Sequence, residues 1–128
     1  MRAERGKKIQ GAYGEEVARN FLQSLGWEII GRNVNIRAHA PDGRILGEID
    51  IIASDGQTLS FVEVKWRKDG RFGSPLEAVT AKKQNKLRLL AELYMLQSQR
   101  TEKNLRFDVI GITGCGRNMQ LQHIENAF

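Results

Sequence analysis

GEIDIIASDGQTLSFVEVK, residues 47–65, is two apolar ribbons around a turn, interrupted by ionisable side chains, among them Asp50, Glu63 and Lys65. A carboxylate or ammonium on a largely buried strand costs several kcal/mol unless it is paired or bound to a metal. Their accumulation in one short stretch marks a site. Whether they meet depends on parity, because side chains alternate faces along a strand. Ser54-Asp55-Gly56-Gln57 contains the Asp-Gly pair that favours a two-residue hairpin turn. Pairing Ser54 with Gln57 places Asp50 opposite Phe61, and the period of two puts Glu63 and Lys65 on the same face. Asp50 and Glu63 become diagonal neighbours, roughly 7 Å apart at the backbone, a span two carboxylates bridge through one divalent cation. A four-residue loop keeps this parity, whereas a three- or five-residue loop reverses it.

On either side of the hairpin the periodicity changes. Gly14 to Leu25 carries a helical stripe of Val17, Ala18, Phe21, Leu22 and Leu25, closed by Gly26. At about 100° per residue, Glu15 falls on the flank of that stripe and Glu16 points nearly opposite it. Trp27–Arg37, Leu46–Ser54 and Thr58–Arg67 read as a three-strand meander. A loop over Gly70–Pro75 leads to a helix over about Leu76–Ser98, with Leu87, Leu90, Ala91 and Tyr94 on one face. Leu105–Thr113 is a fourth strand, which a crossover through that helix pairs in parallel with the third. Gly114 and Gly116 then turn the chain into an edge strand, Met119–Ile124. The expected fold is α/β, a mixed sheet of four to five strands flanked by two helices in the order α-β-β-β-α-β-β.

With 128 residues and 41% hydrophobic content, one domain over residues 1–128 is expected, with residues 1–10 as a basic, flexible arm. A lone cysteine, Cys115, excludes an internal disulfide framework and a thiolate cluster for zinc. The start is basic without an apolar signal core, and no run of about eighteen apolar residues occurs. A cytoplasmic protein without membrane contact is expected. The formal charge of +5 is concentrated in Arg2, Arg5, Lys7 and Lys8, in Lys65, Arg67, Lys68 and Arg71, and in Lys82, Lys83, Lys86 and Arg88. Such clusters attract phosphate backbones without sequence choice. Those flanking the carboxylates, Arg67, Lys68, Arg71, Lys82, Lys83 and Lys86, are the candidate nucleic-acid contacts.

Five ordered blocks carry a resemblance: Gly11-x-x-Gly14-Glu15-x-x-Ala18, Gly47-Glu48-Ile49-Asp50, Phe61-Val62-Glu63-Val64-Lys65-x-Arg67, Lys83-Gln84 and Arg106-Phe107-Asp108-Val109. Together they resemble the YraN family of small bacterial proteins, within the PD-(D/E)xK nuclease superfamily. The stretch Ile36 to Leu46 is longer than that family leads one to expect. The resemblance implies a restriction-endonuclease-like core similar to Holliday-junction resolvases, hence DNA, of branched shape, as the nucleic acid, and a homodimer, because symmetric cutting of two strands needs two sites. It also selects Glu15 in the Gly-Glu-x-x-Ala block and makes the Val64 carbonyl a further metal ligand.

The chemistry accounts for the residue types. Phosphodiesters resist hydrolysis because their anionic oxygens repel a nucleophile and the alkoxide leaves poorly. Magnesium, or manganese, binds hard oxygen donors and counters both obstacles. Asp50 and Glu63 are the expected direct ligands. Lys65 either helps deprotonate the attacking water or stays charged and stabilises the transition state, and the adjacent carboxylates favour the second. Glu15 has two readings, a member of the site or a first-turn acid on the helix dipole. Glu48 shares the parity of Asp50 and is either a further ligand or a backbone partner. Asp108 reads first as a structural ion pair and second as part of the site. The alternative function is a DNA- or RNA-binding module that keeps the fold without cleaving, with Asp50, Glu63 and Lys65 as a salt-bridge network.

Overall fold

The computed structural model describes residues 2–69 and 73–128, with side chains from residue 11 onward. The elements are α1 (Arg2–Ser24), β1 (Glu28–Arg37), β2 (Ile45–Ser54), β3 (Thr58–Arg67), α2 (Ala81–Gln97), β4 (Asn104–Thr113) and β5 (Gln120–Ile124). The fold is α/β, with a five-stranded mixed sheet and two helices in the expected order. Strands lie side by side in chain order. All neighbours are antiparallel except β3 and β4, which run parallel from Thr58↔Asn104 to Arg67↔Thr113. Parallel pairing follows from the α2 crossover, which returns the chain to the end where β3 began.

β3 is the central strand and is covered on both faces. Val62 packs with Ala18 and Leu22 of α1, with Val64 and Trp66 against the same cluster, while Leu59 and Phe61 pack with Leu90 and Ala91 of α2. Strand alternation therefore aims Glu63 and Lys65 at the α2 side. α1 comes close to β3 at Gly14, where an added Cβ would lie 3.3 Å from Trp66 Cβ. That bare contact sets the next residue, Glu15, at the sheet.

Four details differ from the sequence expectation. α1 begins at Arg2 instead of near Gly14, and Leu25, placed in the buried stripe, is 51% exposed because the chain leaves the helix at Ser24 and turns at Gly26 (φ +90°). The second long helix does not start at Leu76. Pro75–Ala78 form a separate 3-10 turn, and Thr80 then caps α2 by accepting a hydrogen bond from the Lys83 N–H at 3.2 Å. The β2–β3 turn is displaced by one residue. The Asp55 N–H donates to the Thr58 carbonyl, the Asp55 carboxylate accepts from the Gln57 and Thr58 N–H groups, and Gly56 takes φ +98°. Glycine thus occupies the first central position, as a type II′ hairpin favours. The register becomes Ser54↔Leu59 and Ile52↔Phe61, a shift of two that preserves parity and brings position 50 level with 63 instead of 61.

The fourth difference is a change of phase within β2. An added Cβ at Gly47 would lie 2.8 Å from Leu90 Cδ1, and Ile49 packs in the α2-side cluster, yet Ile51 and Ala53 pack with α1. Strict alternation would put all four on one face. The phase slips at Asp50. The β2–β3 ladder ends there too, its last pair being Ile51↔Val62.

Candidate active site

Asp50 occupies the fork where β2 and β3 part. Its Oδ2 accepts the Val64 N–H at 2.9 Å, taking the place of the next backbone partner. This fixes the carboxylate between the two faces of the sheet instead of on the α2 face with Glu63. From the α1 side Glu15 approaches, and from β2 itself Glu48. One carboxylate oxygen from each of Glu15, Glu48 and Asp50 lies within 4.8 Å of the others. Glu16, one residue on, pairs with Arg19 and with Arg32 at 3.0 Å, so the helical geometry separates the two neighbouring acids as expected.

On the α2 side Glu63 is buried, and its Oε1 is shared by two ammonium groups, Lys83 at 2.6 Å and Lys65 at 3.4 Å. The Thr80 cap explains the first: it places Lys83 in the opening turn of α2 above β3. Lys83, expected among the phosphate contacts, is therefore a partner of Glu63. A sequence signal existed, because a Thr at position 80 starts a helix at 81 and puts Lys83 at its N3 position.

The crowding of like charges perturbs the titration of the site. Burial, and then the neighbouring Glu63 and Glu15 carboxylates, push Asp50 up from 3.8 to about 7, against the Val64 hydrogen bond and Lys83. Burial and the adjacent Lys83 lower the pKa of Lys65, although Glu63 favours its charge. The Glu63 carboxylate opposes the fall, as the sequence suggested, but burial first and then Lys83, bound to the same oxygen, outweigh it. For Lys83 burial also opposes the charge, but its hydrogen bonds with Glu63 and Lys65, and the Glu63 and Asp50 carboxylates, outweigh burial and raise its pKa.

The pattern of the "Uncharacterised protein family UPF0102" matches residues 14–112. The chain belongs to the UPF0102 family. It is 43% identical over 119 residues to a UPF0102 protein of Rhodococcus opacus, covering 92% of this chain and 94% of that one. It is 44% identical over 124 residues to one from Alkaliphilus oremlandii, covering 95% and 98%, and 44% identical over 119 residues to one from Symbiobacterium thermophilum, covering 92% and 94%. This is the family, under the name YraN, to which the five sequence blocks pointed.

In this UPF0102 chain the remaining candidates separate clearly. Asp108 is buried on the α1 face of the sheet, across from Glu63, and is fully engaged: Arg106 donates Nε and Nη2 to it at 2.8 Å each, His123 Nε2 lies at 2.8 Å, and the Asn126 N–H donates at 3.0 Å. Burial alone would raise its pKa, but His123 and Arg106 hold it below the ordinary value. The ion pair of the first reading is present, between Arg106 and Asp108. Lys82, Lys86 and Lys68 are exposed, while Arg67 is half-buried beside Lys65. Arg71 lies outside the described residues, as do the side chains of Arg2, Arg5, Lys7 and Lys8. Among the described residues, no helix is long and apolar enough to cross a membrane.

Proposed function

We propose that this protein is a metal-dependent nuclease, hydrolysing phosphodiester bonds in nucleic acid, with DNA of branched shape the preferred substrate through the resemblance to resolvases. The observation that supports it most is the seat of Asp50 in the β2–β3 fork, within 4.8 Å of Glu15 and Glu48 and beside the Glu63–Lys65–Lys83 cluster. A fold stabilised for its own sake gains nothing by crowding acids until one is pushed to about 7, so perturbation of this kind favours a functional site.

Three carboxylates from α1 and β2 fit a small hard cation, magnesium or manganese, which takes oxygen ligands and tolerates a partly hydrated, open site. Asp50, Glu48 and Glu15 would hold it, and Glu63 with the Val64 carbonyl completes the donors the sequence motif proposes. When bound, such an ion supplies Lewis-acid polarisation of the phosphate and lowers the pKa of water. Lys65, paired with Glu63 and facing the site, orients the attacking water and stabilises the negative charge that builds on the phosphate. Lys83 keeps its charge, holds Glu63 in place and offers positive potential to the phosphate. Lys82 and Lys86, on the same exposed side of α2, steer the backbone toward the fork.

The test incubates the protein with branched, flapped, single-stranded and linear DNA and with structured RNA, in magnesium or manganese, beside Glu63→Ala and Asp50→Ala. Cleavage of branched DNA that both substitutions abolish is the expected result. Cleavage that persists in both variants points to a contaminant, and binding without cleavage of any substrate favours the non-catalytic module.

A further inference from the structure

At the carboxyl ends of the parallel strands β3 and β4, on the face that carries Lys65, lies a cavity of about 230 Å³. Strand register explains its shape. Lys65 pairs with Gly111 and Gly111 with Gln122; one step further, Arg67 pairs with Thr113 and Thr113 with Gln120. Residues two apart on a strand share a face, so two rows cross three strands side by side. Each row begins with a basic side chain on β3 and ends with a carboxamide on the edge strand β5, and Asp69 also lines the β3 end. Between the ends, Gly111 contributes no side chain. An added Cβ there would lie 2.0 Å from Pro75 Cγ, so Pro75 forms the wall toward α2. Leu121 packs into the α1-side cluster, which leaves Gln120 and Gln122 exposed on the cavity side.

We propose that this cavity is a nucleoside subsite, which seats the nucleotide unit adjoining the phosphate handled by Lys65, with its phosphate toward the β3 cations and its base edge toward Gln120 and Gln122. The placement rests on the nuclease reading for the neighbouring phosphate. Pro75 covers the middle of the Lys65–Gly111–Gln122 row, so the open row is Arg67–Thr113–Gln120; strands about 4.8 Å apart make it roughly 10 Å long at the backbone, which separates an anionic end of a ligand from a hydrogen-bonding one by about the reach of a single nucleotide. Each carboxamide offers both donors and an acceptor, matching the mixed edges that bases present. At 230 Å³ the space falls below the roughly 300 Å³ where sites for larger ligands begin, which suits one nucleoside over a dinucleotide cofactor. The carboxyl ends of strands are also where open α/β sheets bind their ligands.

The test titrates the metal-free protein with dAMP, dCMP, dGMP and dTMP and with inorganic phosphate, following backbone amide shifts by NMR, beside a Gln120→Ala/Gln122→Ala variant whose fold is verified by thermal melting. At least one nucleoside monophosphate should bind about fivefold or more tighter than phosphate, shifting Gly111, Thr113 and Gln122, and the variant should lose that advantage while still binding phosphate. Equal binding of nucleotides and phosphate, shifts elsewhere, or an unaltered variant overturns the subsite. Nucleotide binding here in a protein that cleaves nothing supports the subsite and sinks the nuclease reading. Cleavage by a protein whose cavity ignores all four nucleotides sinks the subsite alone.

Discussion

Asp50 is the residue on which most of the physics converges, and its titration gives a signed prediction. With its pKa raised from 3.8 to about 7, the folded protein retains a proton that the unfolded chain has lost between those values. Stability therefore falls as pH rises from about 4 to about 7 and is level above. Asp50→Asn removes this penalty while its side-chain oxygen can still accept the Val64 N–H. The variant should be more stable than the parent at pH 8, by on the order of 1–4 kcal/mol, and the gap should close by pH 4. Urea denaturation at the two pH values checks it; an equal gap at both would refute the shift. Lys83 makes the complementary case. Lys83→Met leaves the buried Glu63 with only the longer contact to Lys65, and should cost about 1–2 kcal/mol, discounted because Lys83 is partly exposed. A thermal melt unchanged by Lys83→Met would show that the Lys83–Glu63 contact contributes little.

Among the elements, the parallel β3–β4 pair and the 3-10 turn ahead of α2 fix one another through Pro75 and Gly111. Gly111→Ala drives a methyl into a rigid ring, so the turn must move, and a loss of about 1–3 kcal/mol is expected; denaturation identical to the parent would contradict that packing. Much of this level could be read in the sequence. β3 has the bounds expected for it, Thr58–Arg67, because a short run rich in β-branched and aromatic residues directly follows the Asp-Gly turn. The phase slip in β2 was not legible for the opposite reason. Isoleucines at 49, 51 and 52 make either face apolar, so composition cannot reveal which one each residue joins. The result is that Asp50 reaches the site through the fork instead of by shared parity, and that Glu48, ambiguous in sequence, stands beside it with Glu15. The start of α2 was lost because apolar Leu76 suggested a helix already under way, whereas Thr80 supplied the cap.

For the molecule as a whole, the sheet is a divider. The Asp108–Arg106–His123 network consolidates the α1 side, the Glu63–Lys65–Lys83 cluster and the cavity occupy the α2 side, and Asp50 at the fork is open to both. A net charge of +5 with exposed Lys82 and Lys86 along α2 predicts salt-sensitive nucleic-acid binding without divalent ions. Replacing both lysines by alanine should flatten the slope of log K against log salt by about 1–2, and an unchanged slope would move the contact surface elsewhere. On the nuclease reading the acids around Asp50 hold a divalent cation. Calorimetric titration of manganese at pH 8 into the wild-type protein and a folded Asp50→Ala variant tests it directly. Saturable binding that weakens by about tenfold or more in the variant is expected. Equal affinity in the two proteins, or no binding to the wild type, would contradict it.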